Sequence, residues 1–154
     1  MKKTILYALA ALALVVGGCG SDADDEGTQP APAPTTLAMG TDEKPQWQAP
    51  NYDRYEQTMT VEVLLQDTLL PYAGDGDLLC ATIGDEVRGV ALPVDYDGQW
   101  LFTITVASNE AGRPVTLSYY CDRLKRIFTT PWTDFDASTP PTGEDGIYKP
   151  AFVK

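Results

Sequence analysis

Carboxylates are the side chains of this sequence most able to do chemistry, and two clusters stand out: Asp75-Gly76-Asp77 and Asp95-Tyr96-Asp97-Gly98. A calcium site wants about six to eight oxygen ligands, often from an Asp-x-Asp-x-x-Gly loop. The second cluster starts like such a loop but lacks the further acids and the closing glutamate. Aspartate also holds turns by bonding the backbone two residues on, so turn chemistry is expected at both places and no metal is assigned. Paired carboxylates could serve a glycosidase as acid and base, but nothing in the sequence fixes their separation. The chain has no histidine, which removes the commonest general base and the commonest zinc or copper ligand. Cys80 and Cys121 therefore have no imidazole to activate a thiol. No catalytic residue and no cofactor is expected, and the chain is read as not an enzyme. Among the aromatics, Trp47, Tyr52, Tyr55, Tyr96, Tyr120 and Trp132 fall outside the apolar runs or on their outward phase. Trp47, Trp132 and Tyr120 are the candidate ligand contacts, since rings exposed together mark a binding patch. The competing use of the tryptophans is to close the ends of a small core.

The elements that would carry these residues are strands. Met59, Val61, Val63 and Leu65 alternate with Thr60, Glu62 and Gln66. Trp100, Phe102, Ile104 and Val106 alternate with Thr103 and Thr105, and Val115, Leu117, Tyr119 and Cys121 with Thr116, Ser118 and Tyr120. A period of two puts each set on one face of a strand. Leu78 to Ile83 is continuously apolar, which predicts a central strand. Gly84-Asp85-Glu86-Val87 predicts a hairpin turn between that run and Arg88 to Leu92. Further turn residues lie at 73–76, 97–98 and 109–112. Short strands with turns between them predict an all-β sandwich over residues 47–154. Its longest irregular stretches, and so its candidate binding loops, are Asp67 to Asp77 and Thr130 to Tyr148.

Four stretches, Tyr55–Leu65, Gly84–Pro93, Gln99–Val106 and Val115–Phe128, follow one another in an order that resembles an immunoglobulin-like or fibronectin-like module of secreted and surface proteins in Bacteroidota-type bacteria. The resemblance implies a single antiparallel β-sandwich, ending in a strand near Ala151-Phe152-Val153. It is a likeness of fold and carries no catalytic motif.

The first residues show where such a domain would work. Lys2 and Lys3 precede an apolar run from Ile5 to Val16, too short to span a bilayer, which needs about 20 residues. Charged start, short apolar core and small residues have the layout of an export signal. Val16-Gly17-Gly18-Cys19 is similar to the lipobox of bacterial lipoproteins. The resemblance implies removal of residues 1–18 and lipidation of Cys19, and several acyl chains anchor stably where one does not. Residues 19–46 are acidic and Pro-rich and predict a solvated, disordered tether. Within them Ser21 to Glu26 is similar to the acidic export signal of surface lipoproteins in the same bacteria, which implies display on the outer face of the outer membrane. A plain solvated charge run is the alternative. With Cys19 lipidated, Cys80 and Cys121 are left either to form a disulfide, which an exported domain can keep, or to remain buried free thiols. Their order with Trp100 and Tyr119 resembles the Cys, Trp, Tyr-x-Cys order of antibody-type domains.

Charge bounds the partners. The 22 acidic residues against 11 basic give a formal net charge of −11, so nucleic acid is not expected as a partner. The membrane is reached through lipid, and an extracellular protein or glycan is the expected ligand. Three functions are carried forward: a surface-displayed, non-catalytic binding or structural module, a carbohydrate-binding accessory lipoprotein of a glycan-uptake system, and a small hydrolase using paired carboxylates.

Overall fold

A computed structural model describes residues 36–153; the expected signal, Cys19 and the tether up to residue 35 lie outside them. Alternation does what the sequence predicts in the three longest regular runs. They form β1 (Gln57–Leu64), β5 (Gln99–Ser108) and β6 (Pro114–Cys121), each turning its apolar phase inward. The continuous apolar run is β2 (Leu78–Ile83), and it turns at Gly84-Asp85 into β3 (Glu86–Ala91). The remaining strands are β4 (Pro93–Tyr96), β7 (Arg126–Asp134) and β8 (Ile147–Tyr148).

They build two four-stranded sheets, ordered β4-β5-β1-β8 and β3-β2-β6-β7. This is the order of an immunoglobulin-like sandwich, with β8 beside β1 where the first strand of such a fold would lie. All pairings are antiparallel except β1 with β8, which is parallel. Between the sheets lie Met59, Val61, Val63, Leu79, Ala81, Ile83, Phe102, Ile104, Val106, Leu117 and Tyr119. Leu69, Leu124, Phe135 and Phe152 close the core from the loops and the C-terminal stretch. Val153 forms an isolated bridge to Thr129 where a last strand was expected.

The second sheet is buried on its inner face and, over Leu78, Cys80 and Tyr120, on its outer face as well, while Thr129 and Pro131 stay exposed there. Its register sets Leu78 against Tyr120 and Cys80 against Ser118, whereas Leu79 and Ala81 face Tyr119 and Leu117. Leu78, Cys80 and Tyr120 therefore share the outer face, and all three are buried. What covers them is the stretch expected to be free tether. Gly40 N donates to Leu124 O (2.7 Å), Asp42 N to Lys125 O (2.9 Å), and Ile127 N to Asp42 Oδ2 (2.8 Å). Lys44 Nζ then donates to Gly76 O (2.8 Å), just ahead of β2. Tyr55 OH donates to Glu86 Oε1 (2.8 Å), just beyond its end, and the Arg88 guanidinium lies 4.8 Å from the Tyr55 ring centroid. Between these clasps the strap carries the half-buried Trp47, and Tyr52 OH donates to Thr105 O of β5 (3.1 Å). The ordered domain thus reaches back before residue 47, and residues 37–46 are docked rather than free.

The same register corrects the cysteine pairing. Cys80 points outward under the strap and Cys121 inward to the core, on opposite faces of one sheet, so their Sγ atoms cannot meet. Both are buried free thiols, and burial pushes the Cys80 thiol up to about 12. The antibody-like order of residues does not carry the antibody-like bridge, because here the cysteines sit on neighbouring strands of one sheet.

A Cβ at Gly40 would lie 2.6 Å from Lys125 O, so a side chain there must lift the strap. In a Gly40→Val variant, native-state alkylation of Cys80 should rise by at least about tenfold, the signature of easier local opening. Cys121 should stay unreactive until global unfolding. Mass spectrometry of the alkylated peptides reads both, and equal protection of Cys80 in variant and wild type would show that the strap is not its cover.

Candidate functional site

The carboxylate clusters resolve into turn and core chemistry. Asp77 is 1% exposed. Its Oδ2 accepts from Tyr119 OH (2.6 Å) and Gly74 N (2.9 Å), and its Oδ1 from Asp122 N (2.8 Å). Both oxygens are occupied in tying the 73–77 turn to the end of β6, and burial holds the carboxyl above the ordinary carboxylate range. Asp95 Oδ1 accepts from Gly98 N (3.0 Å). Asp97 and Gly98 both have positive φ (51° and 78°), the two-residue hairpin turn that aspartate-glycine favours. Among the described residues no group of three or more His, Cys, Asp or Glu side chains is placed to hold a metal ion.

The three candidate aromatics stand on three different elements: the strap, β6 and β7. Tyr120 is buried under the strap at 1% exposure, its hydroxyl 3.4 Å from Asp122 Oδ1. Alternation correctly gave its outward phase, but outward here means toward the strap. Trp132, on β7, packs against the core and lies 5.9 Å from the Tyr148 ring at a 46° tilt. Trp47 sits on the strap, away from both sheets' shared core. Trp47 and Trp132 are half-buried and Tyr120 is covered. The candidate loops also shrink: Arg126–Asp134 is strand, so the second irregular stretch begins after residue 134. The first contains a 3-10 turn at Leu70–Tyr72 and ends on the buried Asp77.

What stays open is the β4 end of the first sheet's outer face, where Leu64 is buried and Leu101 and Ile147 are half-buried. Register pairs Val94 with Leu101, Tyr96 with Gln99, Leu64 with Leu101 and Glu62 with Ile147, all on the phase opposite to the inward Phe102 and Val63. Val94 is 60% exposed and Tyr96 66%, with Leu92 equally open at the start of the edge. Two adjoining hollows share Leu64 and Ile147 as walls. One, about 440 Å³, runs under the 142–149 loop; the other, about 140 Å³, lies among Tyr96, Asp97, Gln99 and Leu101. The sequence signal for this face was the apolar residues on the wrong phase, Leu64, Val94 and Leu101. Single apolar residues out of phase are common on surfaces, so only the register that gathers them makes the patch visible.

No protein-family model, curated protein or solved structure matches the chain.

The Asp77 cluster gives a stability test. Asp77→Ala strands three donors, one on a buried phenol, and should cost about 3 kcal/mol in urea denaturation. Because the folded carboxyl titrates above the unfolded value of about 3.9, its contribution is fully present below that pH and declines as pH rises through the folded value. The stability difference between wild type and Asp77→Asn should therefore shift against wild type between pH 4 and pH 7. A pH-independent difference would mean that Asp77 titrates alike in both states.

Proposed function

We propose that this chain is a lipid-anchored, cell-surface, non-catalytic binding module that holds an extracellular or envelope partner on the outer face of the β4-β5-β1-β8 sheet. The observation that carries this reading is an apolar strip, the exposed pair Val94 and Tyr96 beside the half-buried Leu101 and Ile147, with the buried Leu64 as the floor between them. Apolar surface left in water forgoes about 25 cal/mol per Å² of burial, and contiguous exposed patches mark interaction sites. The strip lies on paired strands, so a partner would meet a preformed surface with little ordering cost. The placement on the outer membrane, facing the exterior, rests on the lipobox-like and acidic stretches at Val16 to Glu26.

A protein partner is favoured over a glycan. The glycan-uptake reading asked for Trp47, Trp132 and Tyr120 as a stacking surface, and these are dispersed and largely covered. Tyr96 is the ring that keeps the glycan reading alive, since an open phenol beside a hollow can stack on one sugar face. The hydrolase reading has least support, because Asp77 and Asp95 are committed to backbone and phenol donors.

A photo-crosslinking residue at position 96, introduced in the full chain on intact cells, should yield protein adducts that the same residue at exposed position 85 does not. Equal adducts at both positions, or none at 96, would remove the face from consideration. Cys19→Ala should move more than about nine-tenths of the chain from the membrane fraction to the soluble fraction. Retention on the membrane would end the lipid-anchor reading.

A further inference from the structure

We infer that the occupant of this face is an extended cationic polypeptide segment, with apolar side chains on Tyr96, Leu101, Leu64 and Ile147 and lysine or arginine side chains on the carboxylates around them. The inference rests on the binding reading of the face. Asp97 walls the hollow at the Tyr96 end, and Glu144 and Asp145 wall the larger one. Glu62 stands on the same outer face, opposite Ile147 in register. Lys149 is the one cation lining either hollow. Carboxylates beside an apolar floor focus their field on whatever enters, and complementary charge then selects and steers the partner.

The same charge pattern argues against other occupants. A second copy of the chain would press this acidic rim, and a net charge of −11, against its equal. An anionic polysaccharide or lipid headgroup meets the same repulsion. A neutral glycan has one open ring to stack on, Tyr96. An extended peptide alternating apolar and basic residues satisfies both features together, one phase facing the floor and the other the rim.

Docking by the face, rather than by adding a strand, follows from β4. Tyr96 and Gln99 flank a two-residue turn and so form a hydrogen-bonded pair, as Val94 and Leu101 do one step further. The groups turned toward the free edge belong to Pro93 and Asp95, and Pro93 has no N–H. One donor is left along the edge, too few to template another strand.

The test uses the full chain in detergent and a fluorescent peptide alternating leucine and lysine, with its leucine–glutamate counterpart as control. The lysine peptide should bind and the glutamate peptide should not. Glu62→Lys with Glu144→Lys should weaken binding at least about tenfold. Reversal of two remote exposed acids, Glu43→Lys with Asp85→Lys, should change it less than about twofold. Thermal melting within about 3 °C of wild type keeps each variant interpretable. Equal weakening by the remote pair would reduce the effect to overall charge and overturn the inference. Loss of binding in Tyr96→Ala with no effect of Glu62→Lys/Glu144→Lys would overturn the cationic partner while leaving the binding face intact. Binding untouched by all three variants, together with no crosslinks from position 96, would overturn both.

Discussion

The hydroxyl of Tyr119 is the polar group around which this sandwich is arranged. Its ring occupies the middle of the core, edge-on to Phe102 at 5.9 Å, stacked on Phe128 at 6.2 Å and tilted against Phe152 at 5.7 Å. A phenol that deep needs a hydrogen-bond partner or it costs a full desolvation penalty. Asp77 supplies one, and is itself tolerable there because two backbone N–H groups share its charge. Desolvation beside that carboxylate in turn raises the phenol far above the ordinary tyrosine value, so it stays a donor. One interaction thus sets the entry of β2, the exit of β6 and the rotamer of the central ring. The acid that looked most like a ligand for something outside is the one most fully used inside.

The two sheets then solve burial differently. The second sheet covers its inner face by the core and, over β2 and the end of β6, its outer face by the strap from residue 37 onward. That is why β2 is apolar on both phases from Leu78 to Ala81 and why Cys80, Tyr120 and Leu78 are buried while pointing away from the core. The first sheet has no such strap over the end where β4, β5, β1 and β8 meet; the 142–149 loop overhangs the buried Leu64 there and leaves Val94 and Tyr96 open. Its middle carries threonines, with Thr60 and Thr105 hydroxyls 2.9 Å apart, as a solvated face should. Its end carries Val94, Tyr96, Leu101 and Ile147 instead.

Much of the architecture could be read directly from residue order. β1, β5 and β6 follow from period-two alternation, and β2 follows from its length and its apolar continuity. The 84–87 and 97–98 turns follow from glycine and aspartate. Three things escaped because they depend on partners distant in sequence. Gly40 to Lys44 has the composition of a tether, and the carbonyls of Leu124, Lys125 and Gly76 together with the Ile127 N–H hold it down. Arg126 to Asp134 contains Pro131 and alternates poorly, so its strand is fixed by pairing with β6. The phase of Cys80 cannot be told within a run apolar on both sides; the register with Ser118 decides it. The exposed apolar patch was illegible for the related reason that its residues come from four strands and are gathered only by register.

An open apolar strip on a small domain carries a hazard, since it invites copies of the same chain as readily as a partner. Two features oppose that outcome. Pro93 deprives the β4 edge of a donor, so that backbone pairing between copies finds little to bond, and strong net acidity makes every close approach of two copies repulsive at moderate salt. Neither feature weakens attraction to a basic segment, and the second strengthens it. The surface is therefore hostile to itself and receptive to the opposite charge. That combination requires the excess of acids to lie beside the apolar strip as well as over the rest of the surface, which is where Glu62, Asp97, Glu144 and Asp145 are found.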